Sequence, residues 1–543
     1  MYAMKITKNK CKNNKNKNFK MTDKNFIFKI GVIVLLSIGL AMSVSADWPM
    51  FHHDTQQTGY IETSSAPGKN HTIWNFSATL SHSSPVITDG KVIITSVKDN
   101  QIYALSESNG SKIWNKSISN LAWSYSSGGI IFYFSFTPAV VGDTIYVGTG
   151  DCKIYALNLS NGGQLWNFTG NGRTASFLTV ANNKVIFRCH RDGNTNDTLY
   201  LLNASNGDKT FEKNFSYFSA KTINPAISVA GIAYTEIYRC KMSAINLSNG
   251  NIEWNFTVTE EGCGSVGLSP PVLINDKLIF GTDKGYVYFV NTTNIFQYNK
   301  TYLNGEYIAS KMAPAVWKDR VFIGTGIRSS STYGNFYAIN LTNYSVAWTY
   351  PVGDAIQSAP AVADGKVFFL AENNKFYALN ALEGTLNWSY ATPNVGWIEN
   401  DIYTSSPAIS DGVVAIGVPE GKVYAFKTIQ LVFVRVAWDD NIANFNNTVQ
   451  QHANYFLEKS GLNACGMKVE IKIVNGSPDI TGQQIWDAWN TNNINHVLEG
   501  IKNWALNNGV RGEIYIGLTT YDMENNCGVG GYTQLPDDIH YDT

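Results

Sequence analysis

Charged side chains are scarce in this chain, because Asp, Glu, Lys and Arg make up only 15% of its 543 residues while aromatic residues make up 13%. Such a composition favours a β-rich protein over a helical or disordered one. Basic residues are concentrated in residues 1–46, which contain nine lysines and one aspartate. The remaining chain is acidic despite the formal net charge of −1. It therefore lacks the basic patch that is typical of a nucleic-acid-binding protein.

Cysteine is rare, and no two cysteines have the C-x-x-C spacing of a structural zinc site. Six of the seven cysteines follow residue 46. This even number permits three disulfides if the chain is exported to an oxidising compartment.

A long apolar run is missing as well. The main apolar segment, IGVIVLLSIGLAM, follows the lysines and is shorter than the roughly 20 apolar residues that are needed to span a bilayer. Val44 to Ala46 supply the small-x-small pattern of a cleavage site before Asp47. We predict a signal peptide over residues 1–46, with Met21 as an alternative start and an uncleaved membrane anchor as the alternative function of the segment. The mature protein is then secreted or located at the cell surface.

What the sequence does contain is a repeat. Eight segments such as SPVITDGKVIITS and APAVADGKVFFLA each join a short apolar run, a tight turn and an alternating run. This pattern is the signature of a β-hairpin. The period of roughly 40 to 53 residues is typical of four-stranded propeller blades.

A third and a fourth strand follow most hairpins, in segments such as YALNLSNGGQLWN, with a glycine in the turn and an aromatic residue in the last strand. The eighth hairpin runs to Lys427 without this aromatic strand, whereas a lone strand of that type surrounds Trp74, before the first hairpin. We predict that the N-terminal strand completes the eighth blade. This arrangement closes an all-β, eight-bladed propeller over residues 47–428 and leaves no open edge between its first and last blades.

These repeats resemble those of the pyrroloquinoline quinone (PQQ)-like β-propellers, an eight-bladed superfamily of quinoprotein dehydrogenases and non-enzymatic relatives. The latter include the propeller lipoprotein of outer-membrane protein assembly. The segment DWPMFHHDTQQTGY, from Asp47 to Tyr60, also resembles the lead-in that is common in these proteins. The resemblance covers about residues 47–428.

The repeated aromatic residues are predicted to be structural, because a residue that recurs in every blade follows the symmetry of the fold, whereas a ligand site breaks it. The resemblance implies that their rings dock between neighbouring blades. They are Trp74, Trp114, Trp166, Phe211, Trp254, Trp348 and Trp388. In the fifth copy the sequence leaves Phe296 and Tyr298 as alternatives.

The resemblance also raises the question of a quinone cofactor. Cofactor-using relatives share two adjacent cysteines, a calcium site and a catalytic aspartate, and this chain has no adjacent cysteines. Polar residues in the predicted loops and the lead-in are Asp151, Asp283, Asp354, Glu372, His190, His52 and His53. We assign them no catalytic, cofactor-binding or metal-binding role, and we expect PQQ and Ca²⁺ only if the protein is a quinoprotein.

Sequons of the form N-x-[ST] recur next to the aromatic residue of the fourth strand, at Asn75, Asn115, Asn167, Asn255 and Asn387. This position is peripheral in a blade, so we predict exposed side chains and candidate glycosylation sites. The alternative is chance, because a chain rich in asparagine, serine and threonine forms such motifs without selection.

Blade geometry makes a prediction about the cysteines. Strands alternate in direction, so the loops between second and third strands share a face with the links between blades. The propeller cysteines fall on that face, and we predict the pairs Cys240–Cys263 and Cys152–Cys189, with Cys465–Cys527 in the C-terminal region. Four propeller cysteines allow three pairings, so the shared face is a separate prediction from the connectivity.

The repeat stops at about Thr428. Strand-like segments, LVFVRVAWDD, MKVEIKIVNG and RGEIYIGLTTYD, then alternate with amphipathic helical segments, which predicts an α/β domain over residues 429–543. The order faintly resembles the N-terminal half of a metzincin-type metalloprotease, but the H-E-x-x-H zinc motif is absent. A non-catalytic relative and a shortened sequence are the two alternatives.

We therefore expect an exported, surface-located propeller that binds or scaffolds a protein or a cell-surface polymer, with neither catalysis nor a cofactor. A quinoprotein oxidoreductase is the first alternative. A propeller-bearing remnant of a secreted metalloprotease is the second. Contact with a membrane is expected only through an uncleaved N-terminal segment.

Overall fold

The computed structural model describes most of the propeller and three strands beyond it. The described residues are 47–62, 66–78, 83–96, 99–127, 130–135, 137–174, 178–190, 196–216, 227–229, 231–238, 240–259, 261–264, 267–308, 312–326, 334–356, 358–393, 405–410, 412–418, 421–427, 429–435, 469–474 and 514–518. The chain divides into two compact units, one over Ala46–Thr428 and the other combining Met1–Ser45 with Ile429–Thr543.

The first unit is an eight-bladed propeller of antiparallel sheets, which confirms the predicted fold class. Blades 1 and 2 contain β2 (Val86–Thr88), β3 (Lys91–Ser96), β4 (Gln101–Ser106) and β5 (Lys112–Ser117), then β8 (Ala139–Val141), β9 (Thr144–Gly148), β10 (Lys153–Asn158) and β11 (Gln164–Thr169). Blades 3 and 4 contain β13 (Thr179–Ala181), β14 (Lys184–His190), β15 (Asn196–Asn203) and β16 (Lys209–Ser216), then β17 (Ile227–Val229), β18 (Ile232–Tyr238), β19 (Lys241–Asn246) and β20 (Ile252–Thr257).

The remaining blades repeat this order. Blades 5 and 6 contain β21 (Val272–Ile274), β22 (Lys277–Gly281), β23 (Tyr286–Asn291) and β24 (Tyr298–Tyr302), then β25 (Ala315–Trp317), β26 (Arg320–Gly324), β27 (Asn335–Asn340) and β28 (Val346–Pro351). Blade 7 contains β29 (Ala361–Ala363), β30 (Lys366–Ala371), β31 (Lys375–Asn380) and β32 (Leu386–Ala391). Blade 8 contains β33 (Ala408–Ser410), β34 (Val413–Val418), β35 (Lys422–Lys427) and, as its outermost strand, β1 (Thr72–Ser77).

The N-terminal strand closes the propeller as predicted. β1 pairs antiparallel with β35, and Trp74 lies opposite Ala425 in that ladder. Two additions lie outside the repeat: a hairpin of β6 (Ala122–Ser127) and β7 (Ile130–Ser135) between blades 1 and 2, and a short strand β12 (Arg173–Thr174) that pairs with β14.

Local sequence explains the blade pattern. The turn between the first and second strands requires two residues with positive φ, and Asp89 (48°) and Gly90 (66°) supply them in blade 1. The second and third strands are buried along most of their length, because each blade packs between two others. Successive turns and loops therefore define two faces. The turn face carries the turns between first and second and between third and fourth strands, and the link face carries the other loops and the links between blades.

The predicted docking aromatics form contacts between neighbouring blades around the outer rim. Each indole N–H donates to a backbone carbonyl of the next blade or, for Trp388, of the segment that leads into β1 of blade 8. The pairs are Trp74 to Glu107 (2.7 Å), Trp114 to Leu159 (3.0 Å), Trp166 to Ala204 (3.0 Å), Trp254 to Thr292 (3.1 Å), Trp348 to Ala381 (3.3 Å) and Trp388 to Pro67 (2.9 Å). Four of the indole rings, those of Trp74, Trp114, Trp166 and Trp348, pack on a turn glycine with positive φ, and a Cβ at Gly110 would lie only 2.6 Å from Trp74. Phe211 packs on Gly250 in the same way, but its ring has no N–H to donate.

The interface between blades 5 and 6 uses a different solution. Strand register places Asn299, rather than Phe296 or Tyr298, at the position of the docked aromatic, opposite Phe289. Other blades have alanine or leucine opposite the docked residue. Here the Phe289 ring fills the space and contacts Tyr344, which replaces the turn glycine, at a centroid distance of 4.9 Å.

In the second unit, the described residues form one three-stranded parallel sheet. Its strands are β36 (Ile429–Arg435), β37 (Val469–Val474) and β38 (Ile514–Leu518), in the order β37–β36–β38. Parallel neighbours need a crossover connection. The helices predicted for those connections lie outside the described residues.

Candidate functional site

The lead-in from Asp47 to Ile61, here called the axial segment, lies against the channel wall. Its backbone exchanges hydrogen bonds with the innermost strands of five blades. The contacts are Trp48 with Ile87 (2.7 and 3.0 Å), Pro49 with Val140 (2.7 Å), Gln56 with Leu273 (2.9 Å), Thr58 with Val316 (2.8 Å), Gly59 with Val362 (2.7 Å) and Ile61 with Val362 (3.1 Å). Because the innermost strands line the channel, this segment occupies axial space that a central ligand would need.

The axial segment folds tightly because several residues adopt the left-handed conformation. His52 (59°), His53 (79°), Gln57 (57°) and Gly59 (62°) all have positive φ. Gly59 is required twice over, since a Cβ there would also lie 2.6 Å from the His52 ring. Asp54 fixes the loop by accepting hydrogen bonds from the Thr58 backbone N–H (3.0 Å) and hydroxyl (2.6 Å).

His52 is the most buried ionisable residue of the axial segment, at 1% exposure. Its Nδ1 lies 2.7 Å from the Gln57 carbonyl oxygen and its Nε2 lies 2.9 Å from that of Pro360. Burial lowers the pKa of His52 to about 4, although the two carbonyls oppose this shift. The ring is therefore neutral at physiological pH, so it has one N–H and donates to one of the two carbonyls, while its contact with Pro360 brings the axial segment against the start of blade 7.

Phe51 extends the same contact. It packs in a small buried cluster with Ala313 and Ala359, which precede the innermost strands of blades 6 and 7. The sequence pattern predicted a lead-in here but no position for it. Only the hydrogen bonds to five different blades identify it as a segment inside the channel.

A second region breaks the repeat on the link face of blades 3 and 4. In blades 2, 5 and 6, one position near the end of the second strand is a glycine (Gly148, Gly281 and Gly324). The equivalent residue is Arg188 in blade 3 and Glu236 in blade 4. Both are almost fully buried, at 3% and 1% exposure. We did not predict this pair from sequence, and charged residues at a glycine position of the repeat are the signal that identifies it.

The Arg188 guanidinium holds the two blades together. It donates to the Glu236 carbonyl (2.7 Å), and its Nε lies 3.7 Å from the Asp197 carboxylate. Burial lowers the pKa of Arg188, and the charges of Asp197 and Glu236 oppose that shift. The Glu236 carboxylate accepts the Cys240 N–H (2.7 Å), so these charges organise the loops rather than face solvent.

Two disulfides connect blades on the same face. Cys152 joins Cys189 between blades 2 and 3, and Cys240 joins Cys263 at the link from blade 4 to blade 5. All four cysteines lie on the link face, where blade geometry places them. Cys465 and Cys527 lie outside the described residues, so that pair stays a prediction.

The other polar candidates are dispersed over separate blades. Asp151 accepts the Thr149 hydroxyl (2.5 Å) and pairs with Lys153 (3.0 Å), and these contacts outweigh burial and lower the pKa of Asp151. Asp283 accepts the Gly264 N–H, and Asp354 accepts the Ala355 N–H (2.8 Å). Glu372 is buried in blade 7.

Two further histidines of the predicted set, His190 and His53, lie apart from His52 in their contacts. His190 lies opposite Asp197 in the ladder of blade 3, and His53 pairs with Asp54 (3.4 Å) in the axial segment. Among the residues that the structure describes, no group of three or more His, Cys, Asp or Glu side chains could hold a metal ion.

The five sequon asparagines Asn75, Asn115, Asn167, Asn255 and Asn387 are all exposed on outermost strands. Their glycosylation remains a prediction. The predicted signal peptide lies outside the described residues. Within those residues, no helix is long and apolar enough to cross a membrane.

Eight blades, a closing N-terminal strand and docked indoles define the class of PQQ-like β-propellers. Within that class, the chain matches the family model of the outer membrane protein assembly factor BamB over residues 55–167, 98–350 and 308–444, and it belongs to this family.

Individual relatives are distant. The tetrathionate hydrolase of Acidithiobacillus ferrooxidans is 24% identical over 310 residues, which cover 53% of this chain and 54% of that protein. The chain thus spans about half the length of this relative. The assembly factor BamB of Yersinia pestis is 20% identical over 341 residues, which cover 58% of this chain and 80% of that protein.

Solved structures of dehydrogenases share the fold. A europium-containing methanol dehydrogenase aligns with a TM-score of 0.55 and 12% identity, over 70% of this chain and 98% of its own. The quinohemoprotein alcohol dehydrogenase from Comamonas testosteroni gives the same score and identity, over 70% of this chain and 80% of its own. At such identities the likeness shows the fold alone.

Proposed function

We propose that this protein is an extracytoplasmic, non-catalytic propeller that binds a protein partner through the outer edge of blade 5. The observation that carries the proposal is a group of exposed aromatic side chains where the other blades have a docked ring. The family name, which refers to outer membrane protein assembly, supports a protein as the partner. The two disulfides support an oxidising compartment.

The blade 5 edge consists of Tyr286, Phe296, Tyr298, Lys300 and Tyr302. Phe296 is 88% exposed, and Tyr298 and Tyr302 are about half exposed, at 47% and 53%. Isolated apolar residues on a surface need no explanation, but a cluster of aromatic rings is typical of an interaction site. The edge thus has the composition of the buried centre of a protein interface.

The tyrosine rings of the blade 5 edge are held in place by neighbours. Tyr286 and Tyr302 lie 4.7 Å apart between ring centroids, and the Lys300 ammonium lies 4.8 Å from the Tyr286 ring. Tyr298 contacts Phe256 of blade 4 at 5.1 Å. Side chains ordered before binding lose little conformational entropy in a complex.

The proposed occupant is an extended segment of the partner protein. β24 is the outermost strand of its sheet, so one side of its backbone is free to pair with an added strand. Alternate side chains of that added strand would then pack on the tyrosines. Other outer strands offer the same backbone, but blades 1, 2, 4, 6, 7 and 8 place an indole between blades instead.

A photo-crosslinking experiment in the native cells tests the proposal. We would introduce a photoreactive phenylalanine analogue at Phe296 and, as a matched control, at Leu165, an exposed residue (53%) on the outer strand of blade 2. We expect one protein adduct at position 296 that is lost when Tyr298 and Tyr302 are changed to alanine. Equal adducts at both positions, or an adduct that a glycosidase removes, would contradict the proposal.

The quinoprotein alternative has its own test. The axial segment occupies channel space and the sequence has no adjacent cysteines, so we propose that no quinone binds. Purified protein would be incubated with PQQ and Ca²⁺ and assayed for a quinone absorbance band and for dye reduction with alcohols or sugars. Stoichiometric uptake of the quinone would overturn the non-catalytic assignment.

A further inference from the structure

A cleft of about 640 Å³ opens on the turn face between blades 2 and 3. One wall is the axial segment at Thr55 and Gln56. The other walls are the turns between the first and second strands of blades 2 and 3 and, at Ser205, the turn between the third and fourth strands of blade 3. The volume is within the range of small-molecule sites in proteins, roughly 300–1,000 Å³.

Part of this cleft lies outside the repeat, because Thr55 and Gln56 belong to the axial segment. The backbone hydrogen bonds of the axial segment reach blades 1, 2, 5, 6 and 7, and in the described part of the chain none reaches the innermost strands of blades 3 and 4. The cleft lies beside blade 3, one of the blades that the segment does not bond to in this way. A site that breaks the symmetry of a propeller is a candidate for a ligand.

The floor of the cleft is apolar and its rim is polar. Val180, Tyr146 and Ala204 are buried at 3%, 4% and 5% exposure. The Tyr146 hydroxyl donates to the Ala204 carbonyl (3.1 Å), so it is already used within the protein. The rim side chains of Thr55, Gln56 and Asn182 form no hydrogen bond to other described residues.

The rim chemistry selects the ligand class. Hydroxyl and amide groups both donate and accept hydrogen bonds. The cleft has no Asp, Glu, Lys, Arg or His among its lining residues. A charged ligand would therefore lose hydration without gaining an ionic partner, which is unfavourable. Like the rim side chains, alcohol groups both donate and accept hydrogen bonds. The C–H face of a sugar ring can lie on the apolar floor.

We propose that this cleft binds a neutral polyhydroxylated ligand of one or two sugar rings. The site is independent of the blade 5 edge, because it lies on different blades and uses different residues. Its ligand would bind alongside a protein partner rather than in its place.

The experiment is a titration of the purified mature protein with methyl glucoside, maltose and N-acetylglucosamine, followed by calorimetry and ligand-observed NMR. The comparison arms are glucuronate, as a charged sugar, and a neutral blocked tripeptide. The variants are Gln56→Ala and Asn182→Gly. The matched control is Asn275→Gly, because Asn275 has the same turn position in blade 5 and a similar φ (54° against 50°).

We expect saturable binding of at least one neutral saccharide. Each cleft variant should weaken it about five- to tenfold, the effect of one lost hydrogen bond, while Asn275→Gly leaves it unchanged. Glycine tolerates positive φ, so the asparagine variants keep their turns. No saturable binding, tighter binding of glucuronate or of the peptide, or an equal loss in the control variant would overturn the proposal.

Discussion

The outer rim and the channel of this propeller are stabilised in different ways. On the rim, one contact is repeated: an indole packs on a turn glycine and donates to a neighbouring carbonyl. In the channel, the middle residue of the innermost strand donates its N–H to a carbonyl of the axial segment in each blade that the segment reaches, but the accepting residue is not repeated in sequence. Repetition thus secures the ring, and single features such as the contact of His52 with Pro360 arise where a non-repeated segment meets it.

The rim itself contains one test of this view. Between blades 5 and 6, Phe289 and Tyr344 replace the alanine and glycine of the repeat, and Asn299 replaces the indole. The space between these two blades is therefore filled, but by different residues from those of the repeat. The outer strand of blade 5, freed from docking, is also the one with exposed aromatic residues.

The largest expected effect is the loss of stability when a docked tryptophan is removed, compared with removal of Asn299, which takes its place in blade 5. Trp74→Ala should reduce the free energy of unfolding by about 3–5 kcal/mol, because it leaves a cavity and removes the hydrogen bond from the indole to the Glu107 carbonyl. Asn299→Ala, at the same position of blade 5, should change it by less than about 0.5 kcal/mol. Urea unfolding followed by tryptophan fluorescence and circular dichroism measures both. Equal losses would show that the rim positions are equivalent after all.

A second prediction concerns the exchanged packing between blades 5 and 6. Phe289→Ala alone should cost about 3 kcal/mol. The triple variant Phe289→Ala, Asn299→Trp, Tyr344→Gly restores the repeat pattern and should recover most of that loss. Denaturant unfolding of the single and triple variants provides the measurement. A triple variant that is no more stable than Phe289→Ala would contradict the idea of exchanged volume.

The channel should respond to pH, unlike the rim contacts. The pKa of His52 is about 4 in the folded protein and about 6.5 in an unfolded chain, so only the unfolded chain gains this proton as pH falls from 6.5 to 4. Stability from the buried neutral ring is therefore complete above pH 6.5 and is lost through that window, by about 3 kcal/mol in total. Melting temperatures of the protein and of His52→Asn, compared across pH 4 to 7, measure the difference.

Asparagine suits the positive φ of His52 and does not titrate. The variant should show a flatter pH profile than the parent protein. Parallel profiles for the two proteins would remove His52 as the source of the pH dependence.

The smallest expected effect isolates the contact between a turn glycine and an indole. Gly110→Ala and Gly90→Ala both place alanine at a positive φ, of 70° and 66°, which costs about 1–2 kcal/mol. Only the Gly110 variant also meets an indole, because a Cβ at Gly90 has no atom within 4 Å. We expect Gly110→Ala to be less stable by a further 1–3 kcal/mol or so. Identical thermal shifts would mean that the indole gives way without cost.

The repeat, and through it the propeller fold, could be predicted from the sequence alone. Hairpin turns, alternating strands and one aromatic residue per blade are local patterns, and closure followed from the lone strand at Trp74. The shared face of the propeller cysteines also follows from strand alternation. Each of these depends on spacing along the chain, so no knowledge of distant contacts was needed.

The positions of the non-repeated parts depend on contacts that the sequence does not reveal. The contact of His52 with Pro360, the burial of Arg188 beside Glu236 and the cleft at Thr55 and Gln56 join residues far apart in sequence. Even the choice of Asn299 over Phe296 or Tyr298 needed the strand register. The physical reason is that symmetry repeats a contact in the sequence, whereas a site made once leaves no period to detect.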